Sequence, residues 1–166
     1  MQIGTCLTRF RQLYPTRFFD VGIAEEHAIT FAGGLAAGGM IPVCAIYSTF
    51  LQRGYDQLIH DAAIQQVKMV LAIDRAGVVG EDGETHQGVF DTAFLNSIPN
   101  VTIYAPAYYD ELQYFLQQAV LETPGVSAVR YPRGKSLYRP KSYIFKCNAF
   151  SLYGGKSPKV LLVTYG

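Results

Sequence analysis

Residues 18–28 read FFDVGIAEEHA, and this stretch decides the fold that the sequence predicts. The apolar segment at 18–21 is typical of a short strand, and the small apolar residues that follow the stretch are typical of a helix. Two carboxylates, Glu25 and Glu26, and the imidazole of His27 stand where the helix begins. A strand that turns into a helix through charged residues is typical of an α/β protein.

The acids at this corner have two interpretations. Carboxylates in the first turn of a helix complement the helix dipole, which requires no chemistry, and spacing alone favours that interpretation. The apolar residues on both sides of Glu25 indicate instead a carboxyl that is shielded from water. Such shielding disfavours the charged form, so the group can donate a proton as well as accept one. Glu25 is therefore a candidate acid–base group.

Strand and helix patterns alternate along the rest of the chain. The apolar runs are continuous, as strands buried on both faces require. The sequence therefore predicts an α/β fold with a mostly parallel sheet and helices on both faces. The predicted strands are 18–21, 42–47, 69–74, 101–104, 126–131 and 160–165, and the predicted helices are 7–14, 25–38, 50–66, 90–97 and 109–122.

The domain organisation follows from a change of pattern after Pro132. We expect one α/β domain over 1–134, a linker rich in Gly, Pro, Lys, Arg and Tyr over 135–157, and the first strand of a further domain over 158–166. The pattern enters at a helix and stops at a strand, so we also expect a fold that is truncated at both ends.

Composition argues against several classes of protein. A net charge of +1 argues against binding nucleic acid or a membrane surface through charge. No apolar run approaches the roughly 18 residues that span a bilayer. Cys6, Cys44 and Cys147 are odd in number and far apart, which predicts no disulfide framework and a reducing, cytoplasmic compartment.

Polar side chains follow the predicted strands, at the edge where parallel sheets bind ligands. Arginines among them predict an anionic or phosphorylated substrate. In the Gly-rich loop 77–88, His86 lies among acids and is a candidate acid–base group. The loop can equally be an irregular surface connection, because its glycines match no phosphate-binding motif, and no metal-ligand spacing appears. The edge residues are Glu25, Glu26, His27, Tyr47, Ser48, Thr49, Arg53, Asp74, Arg75, Asp82, His86, Arg130, Tyr131 and Arg133.

Four stretches carry a resemblance to a known family: FFDVGIAEEHAITFAGGLAAGG, AIYSTFLQRGYDQLIHDAAIQ, AIDRAGVVGEDGETHQGVFD and SAVRYPRG. They span roughly 7–134. The chain resembles the central, pyrimidine-binding domain of the 1-deoxy-D-xylulose-5-phosphate synthase family, whose members are thiamine diphosphate enzymes of the transketolase group. YSTFLQR and DRAGVVGEDGETHQG are specific to this family within the group.

The resemblance implies roles at the cofactor. Glu25 matches the catalytic glutamate that hydrogen-bonds N1′ of the aminopyrimidine, and Phe50 matches the aromatic residue that stacks on that ring. Tyr47 matches a residue near both cofactor and substrate. Glu26 stands where glutamine is common in the family, so the doublet leaves both acids as candidates.

The resemblance also implies roles at the substrate. Arg53 matches an active-site residue near the substrate. Asp82 and His86 match loop residues that contact the substrate, and His86 is implied in proton transfer. Arg133 of YPRG matches an arginine that binds the phosphate of glyceraldehyde 3-phosphate.

The implied fold is the thiamine diphosphate-binding fold, with 1–134 as a pyrimidine-binding domain that lacks its first elements. The implied reaction condenses pyruvate with glyceraldehyde 3-phosphate, with decarboxylation, for isoprenoid and thiamine precursors. The family's magnesium ligands lie in a diphosphate-binding domain outside this sequence. We therefore expect an inactive chain when it is alone. We also expect a homodimer or homo-oligomer, because an unpaired sheet edge and uncovered apolar helix faces tend to find partners. The alternative is a catalytically silent fragment or subunit of another transketolase-like enzyme that acts only through a partner chain.

Overall fold

The sheet consists of four parallel strands in the order β1-β2-β4-β3. A computed structural model describes residues 4–135, 138–147, 149–155 and 157–165. The strands are β1 (Val43–Tyr47), β2 (Met69–Asp74), β3 (Val101–Tyr104) and β4 (Val126–Arg130). The predicted parallel α/β sheet is confirmed. β2 and β4 are buried along their whole length, which explains their continuous apolar sequences.

Helices cover both faces of the sheet, as predicted. The larger core cluster joins one face of β2 and β4 to the helices on that side through residues such as Ile29, Leu58 and Leu95. On the other face, Val70 and Val129 pack with Ala119. The helices are α1 (Thr8–Leu13), α2 (Glu25–Ala37), α3 (Ser48–Leu51), α4 (Tyr55–Gln57), α5 (Asp91–Asn96) and α6 (Tyr109–Leu121).

The strand register aligns the carboxyl ends of three strands. Tyr47 at the end of β1 pairs with Asp74 at the end of β2, and Ile73 of β2 pairs with Arg130 at the end of β4. The side chains that follow these strands therefore meet at one edge, as the sequence predicts for a parallel sheet.

The strand predicted over 18–21 is wrong. Phe18 has extended backbone, but no described strand pairs with this segment, and extended backbone without a ladder is not a strand. The segment ends in a turn instead: the backbone N–H of Gly22, at φ +77°, donates to a carboxylate oxygen of Asp20 at 3.0 Å. The helix that follows, α2, begins at Glu25 as predicted.

The single helix predicted over 50–66 is broken into pieces. After α3 come a 3₁₀ turn at Gln52–Gly54, the short α4, and a π-helical turn at Leu58–Ala63. Close contact with α2 accompanies these changes. A Cβ atom added at Gly33 would lie 2.6 Å from the carbonyl oxygen of Asp61, so α2 and the π turn meet where only glycine fits.

The end of the chain departs from the prediction as well. Residues 159–165 form no strand; Gly166 of the predicted strand 158–166 lies outside the described residues. The apolar side chains there are exposed, with Leu162 84% exposed, because no described strand pairs with them. In the predicted linker 135–157, the described part includes Phe145, which packs on Phe115 of α6 with ring centroids 5.6 Å apart. The division into domains stays a prediction.

Candidate functional site

Glu25 is the first residue of α2, and it is only 4% exposed. One carboxylate oxygen, Oε2, accepts a hydrogen bond from Nη1 of Arg53 at 3.1 Å. The other oxygen, Oε1, is buried and has no hydrogen-bond partner among the described residues. A buried carboxylate oxygen without a donor is unfavourable, so this atom is a site where a ligand's N–H group would bind with advantage.

The two adjacent acids are distinguished by their exposure. Glu26 is exposed, whereas Glu25 faces the interior. Successive helical residues point about 100° apart, which separates the two side chains. The predicted burial of Glu25 is confirmed, and the geometry places it, rather than Glu26, among the other candidate residues.

Gly54 brings Arg53 to Glu25. A Cβ atom at Gly54 would lie 3.0 Å from the side chain of Ile29 and 3.3 Å from the carbonyl oxygen of Glu25. A larger residue would push the 3₁₀ turn away from α2. The break in the predicted helix therefore positions the guanidinium that pairs with the buried carboxylate.

Aromatic rings form a wall beside this pair. The rings of Tyr47 and Phe50 are stacked, with centroids 5.7 Å apart and planes inclined by 14°. The imidazole of His86 lies edge-on to Phe50 at 5.1 Å, and the guanidinium carbon of Arg53 lies 4.7 Å from the centre of the Phe50 ring. Burial raises the pKa of the Tyr47 phenol, which keeps it protonated as a donor.

The loop 77–88 is held together by hydrogen bonds between its own residues. Gly77 and Gly88 exchange two backbone hydrogen bonds of 2.7 and 2.8 Å that close its base. Inside the loop, the side-chain amide of Gln87 accepts from the backbone N–H of Val79 at 2.9 Å and donates to the carbonyl of Gly83 at 2.8 Å. This bracing holds His86 near the aromatic wall.

A cluster of charged side chains contacts the ring of Tyr47 through Arg75. Arg75 places its guanidinium carbon 4.1 Å from the Tyr47 ring and pairs with Asp74 at 2.7 Å and with Asp82 at 3.2 Å. Arg133 pairs with Asp82 as well and with Glu81 at 3.3 Å. Burial lowers the pKa of Arg75, whereas the negative charge of Asp74 raises it. The raising effects together exceed the effect of burial, so the pKa lies above its usual value. Two arginines thus share one carboxylate.

A cavity of about 400 Å³ opens beside these two arginines, and it provides room for a negatively charged ligand group. Arg75 directly follows the central strand β2, so the sequence places it at the sheet edge, but no motif in the sequence indicates its role. The lining residues of the cavity are Gly4, Thr5, Cys6, Asp74, Arg75, Tyr131, Pro132, Arg133 and Gly134.

The predicted site residues form one connected chain of contacts. It runs from Glu25 through Arg53 to Phe50, and through the aromatic rings to the arginines. His27 lies apart from it, with its ring on Phe31. The described part of the chain contains no group of three or more His, Cys, Asp or Glu residues placed to hold a metal ion. Nor does it contain a helix long and apolar enough to cross a bilayer.

Comparison with known proteins gives a consistent result. The family model described as "Transketolase, pyrimidine binding domain" matches residues 1–139. The 1-deoxy-D-xylulose-5-phosphate synthase of Thermomicrobium roseum is 58% identical over 140 residues, covering 84% of this chain and 22% of that protein. The enzyme of the same name from Chlorobaculum tepidum is 60% identical over 134 residues, covering 81% of this chain and 21% of that protein.

Solved structures agree with the sequence relatives. "Split gene transketolase, inactive beta4 tetramer" superposes with a TM-score of 0.69 and 26% identity, over 79% of this chain and 42% of that one. Transketolase from Campylobacter jejuni gives 0.65 and 25%, over 74% of this chain and 20% of that one. The chain thus spans about a fifth of the length of the curated relatives it matches. On this basis the chain belongs to the family of transketolase pyrimidine-binding domains.

Proposed function

We propose that this chain is the pyrimidine-binding part of a 1-deoxy-D-xylulose-5-phosphate synthase. Such an enzyme is a thiamine diphosphate-dependent transferase that condenses pyruvate with glyceraldehyde 3-phosphate and releases carbon dioxide, supplying isoprenoid and thiamine precursors. The names of the relatives at 58% and 60% identity support this choice over other transketolase-like enzymes. The single observation that carries it is the unpaired, buried Oε1 of Glu25.

The residues at the corner fit the pyrimidine half of thiamine diphosphate. The free oxygen of Glu25 would accept or share a proton with a ring nitrogen, and the stacked rings of Tyr47 and Phe50 offer a flat apolar surface for a heteroaromatic ring. When bound, the cofactor supplies the carbanion chemistry that bond cleavage beside a carbonyl requires. Magnesium would be held by residues of the family's diphosphate-binding domain, which these 166 residues do not include.

In this proposal the other residues bind and orient the substrates. Arg75 and Arg133 line the cavity that would take the phosphate of glyceraldehyde 3-phosphate, and their carboxylate partner Asp82 sets their orientation until the anion arrives. His86, with Nδ1 2.9 Å from the hydroxyl of Thr85, is placed to move a proton at the substrate. Arg53 donates to the other carboxylate oxygen of Glu25, Oε2, and so holds this side chain in position.

The proposal extends to assembly and location. The outer edge of β1 has no partner strand in the described ranges, and Val43 on it is 51% exposed, as is the neighbouring apolar side chain of Met40 at 52%. An unpaired edge with exposed apolar residues supports a homodimer or homo-oligomer. Cys6, Cys44 and Cys147 are unpaired, which supports the reducing cytoplasm.

The test is a chimera of the Chlorobaculum tepidum synthase in which the matching segment is replaced by this chain's residues. Glu25→Gln should lower its turnover by ~10²–10⁴-fold, because an amide cannot exchange a proton with a ring nitrogen. Glu26→Gln is the matched control and should change turnover only a few fold. Equal losses, or a greater loss for the Glu26 variant, would contradict the proposal.

The second candidate is a chain that is silent alone and acts only with a partner. The solved structure described as a split-gene transketolase supports it, because its β4 tetramer is described as inactive. Titration calorimetry of the isolated chain with thiamine diphosphate and Mg²⁺ addresses this candidate. We expect weak binding and no synthase activity from these 166 residues alone, since the family's charged anchor for the diphosphate lies outside them. Tight magnesium-dependent binding would overturn that expectation.

A further inference from the structure

Arg130 and Asp91 form a buried ion pair beneath the loop 77–88. Nε and Nη2 of Arg130 donate to the two oxygens of Asp91, both at 2.9 Å. Asp91 is 1% exposed and Arg130 is 6% exposed. The two residues come from different elements, since Asp91 begins α5 and Arg130 ends β4. The pair therefore ties the helix after the loop to the carboxyl end of the sheet.

The same guanidinium reaches the loop itself. Nη2 of Arg130 points to the carbonyl oxygen of Gly88 at 3.4 Å, a longer contact that adds to the bond this oxygen accepts from Gly77. Gly88 is the position at which the loop returns to the body of the protein. It lies so close to its surroundings that an added Cβ would be 2.0 Å from the carbonyl oxygen of Arg75 and 2.8 Å from Ser48.

We propose that the Arg130–Asp91 pair is a positioning element for the loop 77–88, fixing its Gly88 end and thereby the place of His86 against Phe50. Gly88 lies two residues from His86, so a shift of Gly88 moves the imidazole. The consequence for catalysis rests on the proposed function, whereas the placement of the loop does not. Among the described residues, the Arg130 side chain contacts Asp91, Gly88 and Tyr165, and it acts on His86 through the loop.

The pair suits this task better than a single charge would. A guanidinium has a rigid fork of donors, so it can hold both oxygens of Asp91 and still face Gly88. A lysine at this position keeps the positive charge that the buried carboxylate needs, but it is a compact donor on a flexible stem. Arg130→Lys therefore separates positioning from charge balance.

The experiment is NMR of the full chain without cofactor, so that its outcome is independent of the proposed function. The chain has three histidines, and the imidazole signals are assigned with His→Gln variants. In Arg130→Lys we expect the His86 signal to move to the position of a solvated imidazole as it leaves the Phe50 ring. His27 and His60 should keep their signals. Amide exchange within 79–88 should become on the order of tenfold faster, as for a segment that opens locally.

Arg139→Lys is the matched control, because Arg139 also pairs with an aspartate, Asp110, but this pair is exposed and neither residue belongs to the loop. It should leave all three signals in place. A second variant, Asp91→Asn, keeps an acceptor for Arg130 and should shift the His86 signal less than Arg130→Lys does. An unchanged His86 signal in a folded Arg130→Lys protein would overturn the proposal. So would global unfolding of both variants, because the pair would then be structural only.

Discussion

Asp91 and Glu25 are both buried carboxylates at the start of a helix, and each faces an arginine. Both oxygens of Asp91 are bound by Arg130, which is itself buried. Only one oxygen of Glu25 is bound, by Arg53, whose side chain is 47% exposed, and the other oxygen has no partner in the described structure. The same chemical group is therefore complete within the protein at one site and incomplete at the other.

The difference distinguishes a carboxylate that stabilises the fold from a carboxylate that can bind a ligand. A buried charge that is fully paired contributes to a fixed arrangement, and removing one partner leaves the other charge uncompensated. A buried oxygen without a donor raises the free energy of the folded chain until a ligand supplies that donor. The comparison thus supports the proposals that Asp91 belongs to the framework beneath the loop and that Glu25 binds a ligand.

The largest effect is expected at the complete pair. Asp91→Ala leaves Arg130 as an uncompensated buried charge, so the free energy of unfolding should fall by about 3–5 kcal/mol. Urea denaturation followed by circular dichroism measures it. Asp110→Ala, which breaks the exposed pair with Arg139, is the control and should lower the free energy of unfolding far less, because solvent screens exposed pairs. Equal losses for the two variants would show that burial of the Asp91 pair carries no special weight.

The comparison also explains what the sequence could predict. Strands β2 and β4 are buried on both faces, so their apolar runs predict them to within one residue. The segment 18–21 is also apolar, but no described strand lies beside it. A local pattern does not show whether a segment will hydrogen-bond to another strand. The carboxyl ends of parallel strands lie at the same edge of a sheet, so the sequence alone places Tyr47 and the loop 77–88 at one edge.

Other features depend on contacts between distant residues. The pairing of Arg130 with Asp91 joins positions 39 apart, and no spacing rule links them. The break at Gly54 depends on the clearance to Glu25 and Ile29, which the helical pattern of 50–66 does not contain. Arg75 was visible as a charge after a strand, but its position between Asp74 and Asp82 required the fold.

A smaller effect is expected at the incomplete site. Glu25→Gln replaces a half-satisfied carboxylate with a neutral amide of similar size, and Arg53 is exposed enough to be solvated when its partner is lost. The free energy of unfolding should therefore change by less than about 1 kcal/mol, in either direction. Urea denaturation of the isolated chain tests this without cofactor. A loss as large as that of Asp91→Ala would mean that Glu25 is part of the framework after all.

At neutral pH the smallest effect is expected at the contact between Cys44 of β1 and Ala28 of α2. The thiol of Cys44 in β1 donates to the carbonyl of Ala28 in α2 at 3.7 Å, and burial raises its pKa to about 12. The folded chain thus keeps this proton to higher pH than the unfolded chain, so the free energy of unfolding should be constant at neutral pH. It should then fall as pH rises from about 9 towards 12.

Alkylation with iodoacetamide at pH 8 gives a direct measurement of thiol accessibility: the exposed Cys6 and Cys147 should react, and Cys44 should react only after urea is added. Equal labelling of all three thiols in the folded chain would mean that α2 separates from the sheet in solution. The difference between Glu25 and Asp91 would then reflect the mobility of a helix rather than the number of donors that each carboxylate has.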